Sequence, residues 1–334
     1  MPHRLGSLRG HWWTVKGRFL PPVVSAPPLS PYRFVITDPD VGPVALTGRL
    51  AHRAGADSVV IAVHGLGGSE HSTYLPRAAA AAWEHGMSVV LLGRRGSTGD
   101  GADVYHAGHT ADLHALCDSP LLAAYRHIYV IGYSLGGHTA LWFAKESLDA
   151  RVRAVAAICA PLKLRPTQES MDRKRSFPYR SFLLGALKQQ AICAAERGVI
   201  SAPPAQIERI STFFAFDDQV IAPRFGFRGA HDYYERVSAT RILNDMERPA
   251  VLVHASYDPI VKGKHVRPHL ESTSPAVKSY WCQTGGHVAF ESPAILEGHL
   301  PLSPAEAKIA VESKPLEHKV IALMRSEVGR TDDA

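Results

Sequence analysis

Residues 128–140 read Ile-Tyr-Val-Ile-Gly-Tyr-Ser-Leu-Gly-Gly-His-Thr-Ala, an apolar run that meets a glycine-flanked serine and then becomes a helical pattern. Gly132, Ser134 and Gly136 give G-x-S-x-G, the spacing with which a strand turns sharply into a helix and holds a strained serine at the tip. The glycines have a steric cause: a Cβ two residues before or after the serine would collide with the crossing backbone. The motif alone also occurs as an ordinary strand-to-helix turn. Here 128–131 supplies the strand and 141–144 the helix, so the stretch predicts a nucleophile elbow with Ser134 at its tip.

The chain of 334 residues is 46% hydrophobic and 20% charged, enough to bury a full core in one large domain or two. Its net charge is +6, but the basic residues are scattered and match no zinc-finger, RRM or basic-zipper pattern, which argues against a nucleic-acid partner. Cys117, Cys159, Cys193 and Cys282 are too widely spaced for a metal knuckle and too few for a disulfide framework, and read as reduced, mostly buried thiols. The first 31 residues hold Pro21, Pro22, Pro27, Pro28 and Pro31 and no apolar signal core, and no window approaches the ~20 apolar residues of a membrane span. The expectation is a soluble cytoplasmic protein with no integral membrane segment.

Upstream of the elbow, 1–31 reads as an arm of little periodicity, with Trp12 and Trp13 as anchors onto a domain surface. Two strand-like stretches, 33–37 and 44–50, flank the turn-rich 38–42 and predict a hairpin. A continuous apolar run at 58–63 has the length and content of a strand covered on both faces. It ends in His64-Gly65-Leu66-Gly67-Gly68-Ser69, a glycine-rich turn at the carboxyl end of a buried strand, where α/β proteins hold their ligands. The turn lacks the lysine of a phosphate loop and the spacing of a dinucleotide loop. It fits an oxyanion hole formed by the backbone N–H groups of Leu66 and of Leu135, the residue after the serine. A helix at 74–85, a strand at 88–92 and a long loop at 93–108 follow. His106, His109 and His114 lie close together but have no paired ligand spacing and no acidic partner, so they do not predict a metal site.

After the elbow, 152–159 is another apolar strand, and the β-α alternation argues a largely parallel sheet. Residues 162–245 break that rhythm with helical stretches, several aromatics, and thirteen Lys or Arg against nine Asp or Glu. They read as an insertion roofing the serine, because the strand pattern resumes at 250–254. The implied organisation is an arm at 1–31, a core at 32–161 and 246–330, and a cap at 162–245. The resumed strand ends near Asp258, and a later one, 277–282, ends near His287. A serine hydroxyl needs a histidine to take its proton, and the histidine needs a carboxylate to fix its tautomer. Ser134, Asp258 and His287 meet that need, each just after a strand and in the order Ser, Asp, His. Asp217 and Asp218 are rival acids in the insertion.

Together these motifs resemble the YheT-like branch of the α/β-hydrolases, which is related to the ABHD1/ABHD3 group and the plant EMB8 proteins. The resemblance runs through Gly10-His11-Trp12-Trp13, His64-Gly65-Leu66-Gly67-Gly68-Ser69, Arg95-Gly96-Ser97-Thr98-Gly99, Tyr105-His106-Ala107-Gly108 and the elbow. It continues in Phe216-Asp217-Asp218, Ala222-Pro223, Gly226-Phe227, Tyr233-Tyr234 and Gly285-Gly286-His287-Val288-Ala289-Phe290. The chain departs from the family at His138, where asparagine is commoner, at Trp12 and Trp13, and near Ser97. The resemblance implies a mostly parallel eight-stranded sheet with helices on both faces, an inserted helical cap, and a serine mechanism of esterase or lipase type. The expected activity is carboxylic ester hydrolysis on a small ester or acylglycerol, with no metal or organic cofactor. An acyltransferase on the same triad and a binding protein that has lost the chemistry are the alternatives. The cap aromatics Phe177, Tyr179, Phe182, Phe213 and Phe214 are expected to form an acyl slot, with some of Arg173, Lys174, Arg175 and Arg180 near its mouth.

Overall fold

The computed structural model describes residues 2–20, 24–299 and 302–332. Its frame is one sheet of nine strands: β1 (Ser30–Asp38), β2 (Gly42–Ala51), β3 (Ser58–Val63), β4 (Ser88–Gly93), β5 (His127–Tyr133), β6 (Val152–Ile158), β7 (Ala250–Ala255), β8 (Val277–Cys282) and β9 (Leu296–Gly298). Their spatial order is β1-β2-β4-β3-β5-β6-β7-β8-β9. The pairs from β4 through β8 are parallel, whereas β1–β2, β2–β4 and β8–β9 are antiparallel. The hairpin is therefore present and longer than its apolar stretches suggested. The count of nine corrects the expected eight: β9 pairs only three residues with β8, a run too short to show a period in sequence.

The central strands alternate between two cores, as the two-residue period of a strand requires. Val59, Ile61 and Val63 join Leu113 of helix Ala111–Asp118 and Leu141 and Phe143 of the elbow helix Leu135–Glu146. Val60 and Ala62 join the alanine face of helix Leu75–Glu84 and Val320, Leu323 and Met324 of the last helix, Leu316–Asp332. These strand side chains are fully buried. Each valine and isoleucine among them contributes about 1.5–3 kcal/mol by leaving water, which is why the apolar runs select a sheet covered on both faces.

Between β6 and β7 the chain leaves the sheet as a set of helices, among them Leu164–Met171, Phe177–Glu196 and Ala230–Val237. Their buried side chains merge with the first core, so the segment packs onto the body of the molecule. His138 of the elbow helix turns its two ring nitrogens to the carbonyls of Pro161 (2.6 Å) and Val237 (2.8 Å), and Trp142 Nε1 donates to the same Val237 carbonyl at 2.6 Å. Those contacts tie the segment's last helix to the elbow.

The expected irregular arm is a helix over Pro2–Phe19. Trp12 is 59% exposed and the half-buried Trp13 ring carries Lys16 Nζ at 4.6 Å; the closest approaches to the core are made by glycines. A Cβ on Gly6 would lie 2.3 Å from the Tyr257 ring, one on Gly10 1.9 Å from the Tyr257 carbonyl, and one on Gly17 2.3 Å from Ala289 Cβ. Three glycines on one face lower helix propensity, yet they allow backbone-to-backbone approach that larger residues forbid. The four cysteines are free, three of them buried.

Candidate active site

The turn between β5 and the elbow helix forces Ser134 to φ 53° and ψ −120°, a conformation costing about 1–3 kcal/mol outside glycine. The turn closes because Gly132 and Gly136 lack side chains. A Cβ on Gly132 would lie 2.2 Å from the Gly136 carbonyl oxygen, and one on Gly136 2.4 Å from that of His64. Ser134 Oγ thus stands at the carboxyl edge of the sheet, 2.9 Å from His287 Nε2. On the other side of the ring, His287 Nδ1 lies 2.8 Å from Asp258 Oδ2. A carboxylate only accepts, so Nδ1 carries the proton and Nε2 is free to accept from the serine hydroxyl. Asp258 Oδ1 in turn accepts the amides of Ile260 (2.8 Å) and Val261 (2.9 Å), which fixes the carboxylate's direction.

The loop after β3 lies against the serine: a Cβ on Gly65 would come within 3.0 Å of Ser134 Cβ. Within that loop, Gly65 N–H donates to the Tyr74 hydroxyl (2.8 Å), Gly67 N–H to the Tyr105 hydroxyl (3.0 Å) and Gly68 N–H to the Gly65 carbonyl (3.2 Å). Leu66 N–H has no acceptor among the described residues, and Leu135, opening its helix, has no intrahelical one. His64 braces the loop, its Nδ1–H donating to the Gly65 carbonyl (2.8 Å) and its Nε2 accepting from Arg94 N–H (3.3 Å). Burial pushes this ring down to about 3, consistent with a neutral brace.

All of this opens onto a cavity of about 670 Å³ lined by Ser134, His287, Leu66 and Leu135 on one side and by Leu164, Met171, Tyr179, Phe182, Leu183, Leu187, Phe213 and Phe216 of the inserted segment on the other. Of the expected slot aromatics, Tyr179, Phe182 and Phe213 line it. Phe177 is exposed, and Phe214 packs on the His231 ring at 5.0 Å. None of Arg173, Lys174, Arg175 or Arg180 lines it; Arg180 instead donates to the Asp172 carbonyl at 2.6 Å.

The rival acids have other partners. Asp217 reaches the cavity wall, where its carboxylate accepts from the Tyr234 hydroxyl at 2.5 Å, and burial pushes it up to about 7. Asp218 accepts the Ala230 amide at 2.9 Å. The loop histidines stack on each other, His106 on His109 at 5.5 Å, with Phe225 against both rings. Burial first, then neighbouring positive charge, holds both well below the usual imidazole range.

Sequence reasoning missed two members of the site. Thr14 of the first helix accepts the backbone amide of His287 through Oγ1 (2.8 Å) while donating to the Gly10 carbonyl (2.8 Å). Nothing local marks a threonine for this; only its position one turn after Gly10 points to it. Cys159 lies beside Asp258 and His287, its Sγ within 4.8 Å of the carboxylate and the ring, the grouping nearest to a metal-binding set among the described residues. Burial first, then the charge of Asp258, pushes the thiol well up, so it stays protonated.

A family model for the α/β-hydrolase fold matches residues 58–294. The chain is similar to the provisionally named esterase YheT of Escherichia coli (strain K12), 33% identical over 239 residues covering 69% of this chain and 70% of that one. It is also similar to phospholipase ABHD3 of Mus musculus, 24% identical over 311 residues, 86% of this chain and 72% of that one. Among solved structures, Pyrococcus furiosus esterase Pf2001 superposes with a TM-score of 0.54 at 16% identity, covering 92% of this chain and 95% of that one.

Proposed function

The chain belongs to the α/β-hydrolase family and is an ester hydrolase, and on that premise we propose that Ser134, His287 and Asp258 carry its chemistry by a two-step acyl-enzyme route. Ser134 Oγ attacks the ester carbonyl as His287 Nε2 takes its proton. The same nitrogen returns that proton to the departing alcohol, leaving the acyl group on the serine. Water then enters, loses a proton to Nε2 and attacks the acyl carbonyl, and Nε2 passes that proton to Ser134 Oγ as the carbon–Oγ bond breaks and the acid leaves. Asp258 holds the imidazole in the required tautomer and stabilises its positive form. The amides of Leu66 and Leu135 receive the negative oxygen, a role worth about 3–4 kcal/mol per donor in comparable sites.

The observation that carries this reading is the unbroken chain from Ser134 Oγ to His287 (2.9 Å) to Asp258 (2.8 Å), standing on the wall of a largely apolar cavity. We further propose that 162–245 acts as a cap and that its Tyr179, Phe182, Leu183 and Leu187 hold the acyl chain of a carboxylic ester or acylglycerol. Each methylene buried there contributes about 0.8 kcal/mol. A series of p-nitrophenyl esters from acetyl to palmitoyl, run with and without an alcohol acceptor, tests this. Expected is a kcat/KM that rises to at least butyryl or hexanoyl, by no more than about tenfold per added methylene pair, and then falls. Phe182→Ala should lower the maximum. A flat profile unchanged by that substitution would remove the cap from specificity, and preferential transfer to the alcohol would make the enzyme an acyltransferase.

A further inference from the structure

The helix Pro2–Phe19 has two unlike faces. Gly6, Gly10 and Gly17 turn to the core, and on the opposite side Leu8, Trp12, Val15 and Phe19, at i, i+4, i+7 and i+11, form one outward stripe. These four are 67%, 59%, 45% and 70% exposed, although burial is the usual fate of such a stripe. Val15 and Phe19 also line the cavity, and across its mouth stand Phe182, 53% exposed, and Tyr179, whose ring stacks on His11 of the helix at 5.7 Å. The apolar stripe therefore runs into the lip of the pocket.

Basic residues stand on and beside the helix. The helix sequence holds Arg4, Arg9, Lys16 and Arg18, and the chain has no acidic residue before Asp38. Next to it, exposed Arg173, Arg175 and Lys264 crowd Lys262, whose charge is also felt at His11. Crowding of like charges costs energy that an anionic surface would relieve.

We propose that the stripe of Leu8, Trp12, Val15 and Phe19, with its basic surround, docks on an anionic lipid surface and sets the cavity mouth against it. The helix then lies in the interface with its aromatic and aliphatic side inserted and its basic residues at the headgroups. Lipid esters reach Ser134 from that surface without crossing water. The fate of the delivered lipid rests on the ester-hydrolase reading; the docking itself does not.

The test is sedimentation of the full chain with vesicles of phosphatidylcholine alone or mixed with phosphatidylglycerol, at low and high salt. Wild type should co-sediment with the mixed vesicles, and less so at high salt. Leu8→Glu with Trp12→Glu should weaken partitioning by about tenfold or more, lower hydrolysis of a monoacylglycerol carried in those vesicles, and leave hydrolysis of soluble p-nitrophenyl butyrate unchanged. Arg9→Glu with Lys16→Glu should remove most of the salt-sensitive part, and Leu148→Glu, 97% exposed elsewhere, should change nothing. Wild type that ignores both vesicles, or a Leu8→Glu, Trp12→Glu variant that binds as well as wild type, would overturn the proposal. A wild-type dimer that the same variant dissociates, without vesicle binding, would overturn it in favour of a second copy as occupant. Vesicle binding by a wild type inert toward every soluble ester would leave the docking standing and sink the catalytic reading.

Discussion

Ser134 and His287 stand 2.9 Å apart, but the elbow holding the first and the loop holding the second are built by different means. The elbow is local: Gly132 and Gly136, two residues either side of Ser134, admit the strained turn, and flanking apolar runs supply its strand and helix. The loops of Asp258 and His287 are held from far away. Gly10 lies against the Tyr257 carbonyl and against Gly286, and Thr14 receives the His287 amide across 273 residues of sequence. The difference teaches that the geometry of the proposed nucleophile is set by its own neighbours, whereas the loops of the proposed acid and base are also held by the first helix.

Several substitutions sharpen that contrast. Asp258→Asn should lower kcat by roughly 10³–10⁴-fold, since the amide holds the imidazole in the wrong tautomer. Asp218→Asn, whose carboxylate accepts the Ala230 amide in the inserted segment, should cost less than about tenfold. Equal losses in the two would move the acid into the inserted segment.

Gly10→Val should lower kcat by about 10²-fold, the penalty for displacing a catalytic group by about an ångström. Its Cβ would stand 1.9 Å from the Tyr257 carbonyl, so the helix must lift from both loops. Circular dichroism and thermal melting should show the sheet domain still folded. Unchanged kcat in a folded Gly10→Val protein would make the helix irrelevant to the acid-base loops.

Thr14→Val should be milder, about tenfold in kcat with KM little changed, because one buried amide loses its acceptor. Thr14→Ser should restore most of the rate. A loss confined to KM, or no rescue by serine, would reduce Thr14 to a packing residue.

The smallest effect concerns stability. Burial raises the Asp217 carboxyl to about 7, so between about pH 4 and pH 7 the folded chain keeps a proton that the unfolded chain releases. Stability contributed by this group falls as pH rises through that window and is flat above it. Asp217→Asn should abolish the slope and gain roughly 1–3 kcal/mol over wild type at pH 8, with no gain near pH 4. Urea unfolding at the two pH values measures it, and an equal gain at both would deny the raised carboxyl.

Most of the sheet, and the three residues Ser134, Asp258 and His287 that stand in one hydrogen-bonded chain, were legible because their signals are local. Apolar runs of strand length, glycines flanking a serine, and an aspartate and histidine each just after a strand need no tertiary knowledge. The first helix was not legible in the same way. Its glycines and prolines-to-follow depress helical pattern, and its periodic apolar residues, which would ordinarily mark a core face, point outward. Thr14 had no signal, because its value comes from an amide 273 residues away. The ninth strand was too short to show a period.

The most direct test of the account is intact-protein mass after treatment with a fluorophosphonate, followed by peptide mapping. The account predicts one adduct, on Ser134, formed far more slowly in Asp258→Asn and absent from a folded Ser134→Ala variant. An adduct that survives Ser134→Ala, or maps to another residue, would contradict it.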